Sequence, residues 1–488
     1  MKSRTSACVL RLALFQALFL TALSVCPAPS AAQATSITQF VDSVLDHPDF
    51  KGGIQGCIVT DAATGQVLYA RNPDTRLMPA SNMKVFTSAA ALEVLGPDFR
   101  YTTRVGAIQP VNSEGTLEGD LVIAGSGDPV LDMPALQDII ESLKKGGLKK
   151  VTGAVVADTG NFSRSPYGWG WSWDYLQDYY AAPVGAFNLN KNVVRVRVQP
   201  GDSPGTSARV VVEPPSNHLR VSNWAITGSA TSEKQISVSR ELGQNVLRVT
   251  GTVPAGSNST DVDAVIAVYN PAQFAADVFH AALVEAGIEV AGRPRLGANV
   301  PMPVLLAQHD SPPMSEILVQ FNKWSDNLTG EALIRTMGSV KRGDGSFDVG
   351  LQVAEEFYRK VGMDTTGHVQ TDGSGLARMN QITTRNMSIL LRYMDNSANR
   401  DVYLNSLPIA GVDGTVRNRM KGTAAENNAR AKTGYIGNVS SLSGFVDSKA
   451  GQRFIFSVIF NHHYGTTTPC RQAQDDIIAW LAGLTEKL

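Results

Sequence analysis

Four cysteines in 488 residues are too few for a disulfide framework, and Cys8 and Cys26 fall in a leader-like N-terminus, leaving Cys57 and Cys470 beyond it. Two buried thiols are the simpler reading of that pair, while export to an oxidising compartment keeps a single bridge open. An excess of either charge is also missing. The 43 Lys and Arg against 44 Asp and Glu give a formal net charge of -1 without a long basic run. That argues against a nucleic-acid partner, since phosphate neutralisation needs clustered cations. There is no His-Glu-x-x-His and no paired Cys-x-x-Cys, and the adjacent His462 and His463 would point to opposite faces of a strand, so no metal and no cofactor is expected. No fixed-period repeat is apparent.

The longest apolar run, "LALFQALFLTALSV", is short for a membrane span, which takes roughly 20 residues. Lys2, Arg4 and Arg11 surround its start and small residues ending "SAAQA" follow it, giving an Ala-x-Ala site at Ala32 and Ala34. This is the three-part pattern of a secretory signal over residues 1–34. Lipid attachment at Cys26 would want a small residue where the bulky Val25 stands. The processed chain is therefore expected to be periplasmic or otherwise extracytoplasmic, with no stable membrane span.

A chain with 43% hydrophobic residues at this length can bury two or three cores. Phe40, Val41, Val44 and Leu45 repeat at helical spacing, and "GCIVTDAATGQVLYARNPD" reads as strand, turn, strand. Near the C-terminus "LSGFVDSKAGQRFIFSVIFN" reads as a hairpin, and "RQAQDDIIAWLAGL" as a helix with Ala473, Ile477, Trp480, Leu481 and Leu484 on one face. That face suits a core, with membrane-surface binding as the alternative. The two ends thus predict one antiparallel sheet flanked by helices, over residues 35–100 and 300–488. Between them, residues 101–299 hold short Val-rich strands broken by Gly, Pro, Ser and Asn, with helical pattern chiefly in "MPALQDIIESLKKGG" and "PAQFAADVFHAALVEAG". This is an inserted, mainly β region of one or two modules in an α/β (α+β) protein.

"MPASNMKVFTSAAALEVLG" places Lys84 three residues after Ser81, on one face of a helix starting near Ser81. An ammonium among Val85, Phe86, Ala89, Ala90 and Leu92 is penalised by desolvation, which lowers its pKa and supplies a base. A serine hydroxyl is a weak nucleophile that needs such a base. Helix-terminal N–H groups favour developing negative charge. Taken alone, Ser81 could equally cap the helix while Lys84 snorkels to solvent. Ser325-Asp326-Asn327 and Lys432-Thr433-Gly434 shift the balance, because this triple in this order marks penicillin-binding proteins and class A β-lactamases.

With these motifs and the stretches "GDLVIAGSGDPVL", "APVGAFNLNKN", "DGSGLAR" and "LPIAGVDGT", the chain resembles low-molecular-mass penicillin-binding proteins of the D-alanyl-D-alanine carboxypeptidase/endopeptidase family. The resemblance is to the class with a large insertion between the first two motifs. It implies a penicillin-binding, β-lactamase-like transpeptidase fold and acyl-enzyme hydrolysis of peptidoglycan stem peptides, with β-lactams as inhibitors. Ser81 would attack the carbonyl between two D-alanines and Lys84 would accept its proton. The N–H groups of Ser81 and Tyr435 would form the oxyanion hole. Ser325 would pass a proton to the leaving amine, and Asn327 would hold Lys84 and the substrate. Lys432 and Thr433 would bind the terminal carboxylate, and Gly434 would leave the strand edge clear for an extended substrate. Asp158 and Arg378 would read the ammonium and carboxylate of a diaminopimelate side chain, each with a structural role as its alternative. Relatives usually carry Thr or Ser where Tyr435 stands, and commonly Ser at Ala377.

Two further stretches look like motifs. "PGDSPGT" matches Gly-x-Ser-x-Gly at Gly201 to Gly205, but a strand-like run follows where that motif needs a helix, so a surface turn is expected. "SPYGWGWSWDYLQDYY" could stack on sugar or peptide, and packing between the inserted region and the sheet uses such rings as well. A β-lactamase of the same fold and a non-catalytic penicillin-sensing or wall-binding protein are the rival functions. The insertion and the extra family stretches favour a cell-wall peptidase.

Overall fold

A computed structural model describes residues 36–160, 162, 165–256 and 262–488; the expected leader, with Cys8, Cys26, Ala32 and Ala34, lies outside the described residues. The two ends of the chain share one five-stranded antiparallel sheet, ordered Arg430–Ile436, Val439–Asp447, Arg453–Asn461, Ile54–Asp61 and Val67–Arg71. Hairpins make three of its pairings. The fourth runs from Ile54 opposite Asn461 to Asp61 opposite Phe454 and joins the chain's beginning to its end. Residues 56–61 and 454–461 are buried without interruption, as strands covered on both faces must be.

One face is covered by the helices Ile37–Leu45 and Thr468–Gly483, which bring Val41, Leu45, Ile477, Ile478 and Leu481 against Val59, Phe454, Phe456 and Val458. Phe40 stacks on Trp480 with ring centroids 4.8 Å apart. The apolar face of the last helix is thus in the core, and no helix among the described residues is long and apolar enough to cross a membrane. Cys57 and Cys470 lie in this same core as free buried thiols, burial pushing them up to about 12 and about 11. The opposite face packs on helices Met83–Leu95, Met314–Trp324, Asn327–Arg342, Phe347–Val361 and Thr384–Asp395.

The middle of the chain forms a mixed five-stranded sheet and three three-stranded sheets, together with the expected helices Met133–Lys145 and Pro271–Glu285. The strand Val304–Asp310 pairs with Thr102–Ala107, so the sheet of the middle region closes at Asp310 rather than at residue 299. Gly201 to Gly205 lie in the connection between strands Val193–Gln199 and Arg209–Glu213, as a turn. From this region the segment Ser165–Tyr180 reaches the sequence around Asp372 and Asn327.

Candidate active site

Residues Ala80–Asn82 form a tight 3-10 turn that runs directly into the helix Met83–Leu95. Ala80 has φ 48°, a left-handed conformation that costs energy for a residue with a side chain and recurs at functional turns. Every residue from Met83 to Leu92 is buried, so this helix has no solvent face toward which a lysine could snorkel. Lys84 Nζ donates to Ser81 Oγ at 2.9 Å, to Asn327 Oδ1 at 2.7 Å and to the Ser374 carbonyl at 2.7 Å. Three acceptors match the three protons of an ammonium. Burial nevertheless lowers the Lys84 pKa to about 8, against the opposing pull of Glu331, Asp372 and Asp326. A neutral amine is therefore accessible near neutrality, within reach of a hydroxyl.

The second motif sits at a helix junction. Met314–Trp324 ends at Ser325, whose φ of 59° turns the chain sharply before Asn327 opens the next helix. Ser325 Oγ accepts from Lys432 Nζ at 2.8 Å, and Asn327 Nδ2 donates to the Tyr180 carbonyl at 2.8 Å. Asp326 points away from Lys84 into a bond with Lys191 Nζ at 2.5 Å and another with Thr329. Lys191 belongs to three consecutive residues, Asn190 to Asn192, that all have positive φ. The third motif lies on the strand Arg430–Ile436. Lys432 is buried, and burial followed by the nearby Lys84 charge holds its ammonium well below the usual lysine range. Thr433 bonds Thr415 at 2.8 Å between hydroxyls.

Gly434 has a different reason to be glycine than an open strand edge. A Cβ there would meet Ser441 Oγ at 2.2 Å, the Pro79 carbonyl at 2.5 Å and the Asn82 amide at 3.0 Å. Its missing side chain lets the strand press against the turn that carries Ser81. Asn82 strengthens the same joint by donating to the Lys432 carbonyl at 3.1 Å and to Ser441 Oγ at 2.7 Å.

Asp158 has backbone partners. Its carboxylate is buried in the middle region and accepts from the backbone amides of Gly160, Asn299 and Val300 at 2.9, 2.7 and 3.1 Å. These bonds favour the turn-capping alternative given above. Arg378 is exposed and donates to the Gly437 carbonyl at 3.0 Å, just past the end of the Lys432 strand.

Sequence reasoning passed over the groups that hold Lys84 in place. Glu331 lies one helical turn after Asn327, and its two oxygens accept from the Gly373 and Ser374 amides at 2.7 and 3.0 Å. These bonds fix the peptide whose carbonyl accepts from Lys84. Burial, then Asp372, raise the Glu331 pKa, while the Ser374 and Gly373 amides and Lys84 oppose them and favour its carboxylate. Asp372 accepts from Gly375 N, Ala377 N, Asn380 Nδ2 and Trp171 Nε1 at 2.7 to 3.0 Å, and burial raises its pKa. The i to i+4 spacing of Asn327 and Glu331 was the available signal, because such residues share a helix face.

Ser81, Ser325, Thr415, Thr433, Gly434 and Tyr435 line one open cleft of about 540 Å³. A larger hollow of about 780 Å³ beside Ile58, Arg392 and Tyr393 contains no lysine, and its hydroxyls on Thr60 and Ser388 bond each other. The chemistry is in the smaller cleft. A serine held by a buried lysine, beside a strand carrying a second buried lysine, defines with this sheet a penicillin-binding serine peptidase. The chain belongs to the D-Ala-D-Ala carboxypeptidase 3 (S13) family, whose model matches residues 37–484. It is an enzyme of the D-alanyl-D-alanine carboxypeptidase type. It is 36% identical to the D-alanyl-D-alanine carboxypeptidase of Actinomadura sp. (strain R39) over 92% of this chain and 85% of that protein. It is 29% identical to the D-alanyl-D-alanine carboxypeptidase DacB of Haemophilus influenzae over 85% of this chain and 87% of that one. The crystal structure of penicillin binding protein 4 (dacB) from Haemophilus influenzae superposes with a TM-score of 0.80 at 27% identity, covering 91% of this chain and 99% of that one. The same protein complexed with a β-lactam gives 0.76.

Proposed function

We propose that Ser81 is the nucleophile and Lys84 its base. Ser81 Oγ adds to the carbonyl carbon of the penultimate D-alanine while Lys84 Nζ takes its proton. The tetrahedral oxyanion lies between the backbone N–H groups of Ser81 and Tyr435. Collapse breaks the peptide C–N bond, and Ser325, bonded to Lys432, passes a proton to the departing amine. Water activated by Lys84 then hydrolyses the ester. Lys432 and Thr433 receive the terminal carboxylate, a charge-assisted contact. Asn327 fixes Lys84 through Oδ1. Arg378, exposed at the end of the strand that includes Tyr435, reads the carboxylate of the donor peptide's side chain. The observation that carries this reading is the 2.9 Å bond from a wholly buried lysine to the Ser81 hydroxyl. No metal or cofactor takes part in this scheme.

By the same reading the substrates are peptidoglycan stem peptides and D-Ala-diaminopimelate cross-links, β-lactams acylate Ser81, and the enzyme works outside the cytoplasm after loss of its leader. Fluorescent penicillin should label the wild type covalently, and Ser81→Ala should abolish both the label and D-alanine release. Labelling of the Ala variant at the wild-type rate would place the nucleophile elsewhere. Fast penicillin turnover without D-alanine release would instead make the protein a β-lactamase.

A further inference from the structure

The cleft around Ser81 has an unbalanced wall. Beyond Thr433 it is built from Thr415, Arg417, Asn418, Arg419, Tyr435 and Arg471, and no Asp or Glu lines it. Arg419 is neutralised by Asp475 at 2.8 Å. Arg417 is exposed, reaches the Gly414 carbonyl at 3.1 Å, and pairs with no carboxylate among the described residues. Arg471 is exposed too, with its guanidinium 5.8 Å from the centroid of the Tyr435 ring. Its neighbour one helical turn on, Asp475, is already bonded to Arg419.

The strand geometry says which part of a substrate meets these cations. Thr433 and Tyr435, two residues apart on an extended strand, project to the same side. The Thr433–Thr415 bond brings the Gly414–Val416 turn, and Arg417 after it, to that side as well. Lys432 and Gly434 face the other way, toward Ser325 and Pro79. In the reading above, Thr433 touches the carboxylate of the leaving group, so Arg417, and Arg471 beside the Arg419-bonded Asp475, belong to the leaving-group side. Free D-alanine has one carboxylate, which Lys432 and Thr433 already serve. A wall with two further cations and no acid fits a leaving group that brings a second anion. The large ring of Tyr435 also acquires a purpose, as the face against which the Arg471 guanidinium lies.

We propose that Arg417 and Arg471, with Tyr435, form a second anion subsite on the leaving-group side, whose ligand is a peptide leaving group with a further carboxylate. Among the cross-links named above it favours those whose acceptor stem keeps further free carboxylates. This subsite rests on the assignment of Ser81, Lys432 and Thr433 made above.

The test uses two synthetic cross-linked dimers with the same donor stem. In both, the carboxylate next to the scissile nitrogen is free. The remaining acceptor carboxylates are free in one and amidated in the other. Wild-type enzyme should prefer the free form in kcat/KM by roughly 10- to 150-fold, the range of a hydrogen bond to a charged group. Arg417→Gln combined with Arg471→Gln should bring that ratio close to one, and the paired Lys substitutions should restore much of it. The ratio within each variant cancels any general loss of activity, and circular dichroism confirms folding. A wild-type ratio near one, or a ratio that survives the double Gln substitution, overturns the subsite. Failure of penicillin to label Ser81 in the wild type would overturn the catalytic assignment and the subsite with it. A labelled enzyme with a ratio near one sinks the subsite alone.

Discussion

Replacing Lys84 by Met should separate catalysis from stability. The perturbation deletes an ammonium that is fully buried and bonded to three acceptors. Lowering its pKa from 10.5 to about 8 corresponds to about 3 kcal/mol of destabilisation of the folded charged form at pH 7. Met fills much of the same space without that charge, so this strain is relieved. Against it, Asn327 Oδ1 and the Ser374 carbonyl each lose a donor, at about 1 to 2 kcal/mol apiece. Ser81 Oγ faces the cleft and can turn to water. The two sides nearly cancel, and the variant should melt within a few degrees of the wild type. Acylation by penicillin should nevertheless fall by at least about 100-fold, as when a general base is lost. The pH dependence supplies the sharper check. A lysine with a lowered folded-state pKa releases its proton in the native state first, so between about 8 and 10.5 the unfolded chain binds more protons and stability rises with pH. From pH 7 to 9 the wild type should therefore gain about 1 kcal/mol relative to the Met variant. Denaturant midpoints of both proteins at the two pH values, with stopped-flow acylation beside them, measure this. A stability difference independent of pH, or acylation near the wild-type rate, would refute the reasoning.

Glu331→Gln removes a carboxylate that favours the Lys84 ammonium, so the acidic limb of the acylation profile should move below about 8 while the plateau drops by about tenfold as the Ser374 peptide loosens. An unmoved limb would show that Glu331 does not influence Lys84. Gly434→Ala forces a Cβ to 2.2 Å from Ser441 Oγ and 2.5 Å from the Pro79 carbonyl, and should cost about 1 to 3 kcal/mol and most of the acylation rate; a melting point and rate like the wild type would mean the strand gives way freely. Asp158→Asn turns amide hydrogens toward backbone donors and should lower stability by about 1 to 3 kcal/mol. It should leave the kcat/KM ratio between diaminopimelate and lysine peptides unchanged; a changed ratio would return Asp158 to the substrate site.

The residues proposed to bear the chemistry were legible because chemistry restricts residue type and spacing. Ser81, Lys84, Ser325, Asn327 and Lys432 come from three motifs, and in the structure Lys84 bonds Ser81 and Asn327 while Lys432 bonds Ser325, at 2.7 to 2.9 Å. The sheet was legible from the strand-turn-strand runs at the two ends of the chain. Three features were not. The bonds of Asp158 were not, because a carboxylate capping a turn and one awaiting an ammonium look alike in sequence; the amides of Asn299 and Val300 favour the first. Glu331 and Asp372 were missed because their partners are backbone amides, which leave no trace in residue type. The reach of the middle region to Asp310 was missed because Val304–Asp310 finds its partner strand about 200 residues earlier, at Thr102–Ala107, and strand pairing at that distance has no local signature.

The middle region also bears on how the reaction works. Three of its groups touch the catalytic segments directly: the Tyr180 carbonyl accepts from Asn327, Lys191 pairs with Asp326, and Trp171 donates to Asp372. Asn327 and the Asp372 loop are two of the three anchors of Lys84, so the same bonds that dock the middle region also set the position of the base. Gly168 and Trp171 also pack on Asp372, whose loop includes the Ser374 carbonyl that accepts from Lys84. Through these contacts the middle region, far from Ser81 in sequence, takes part in positioning Lys84.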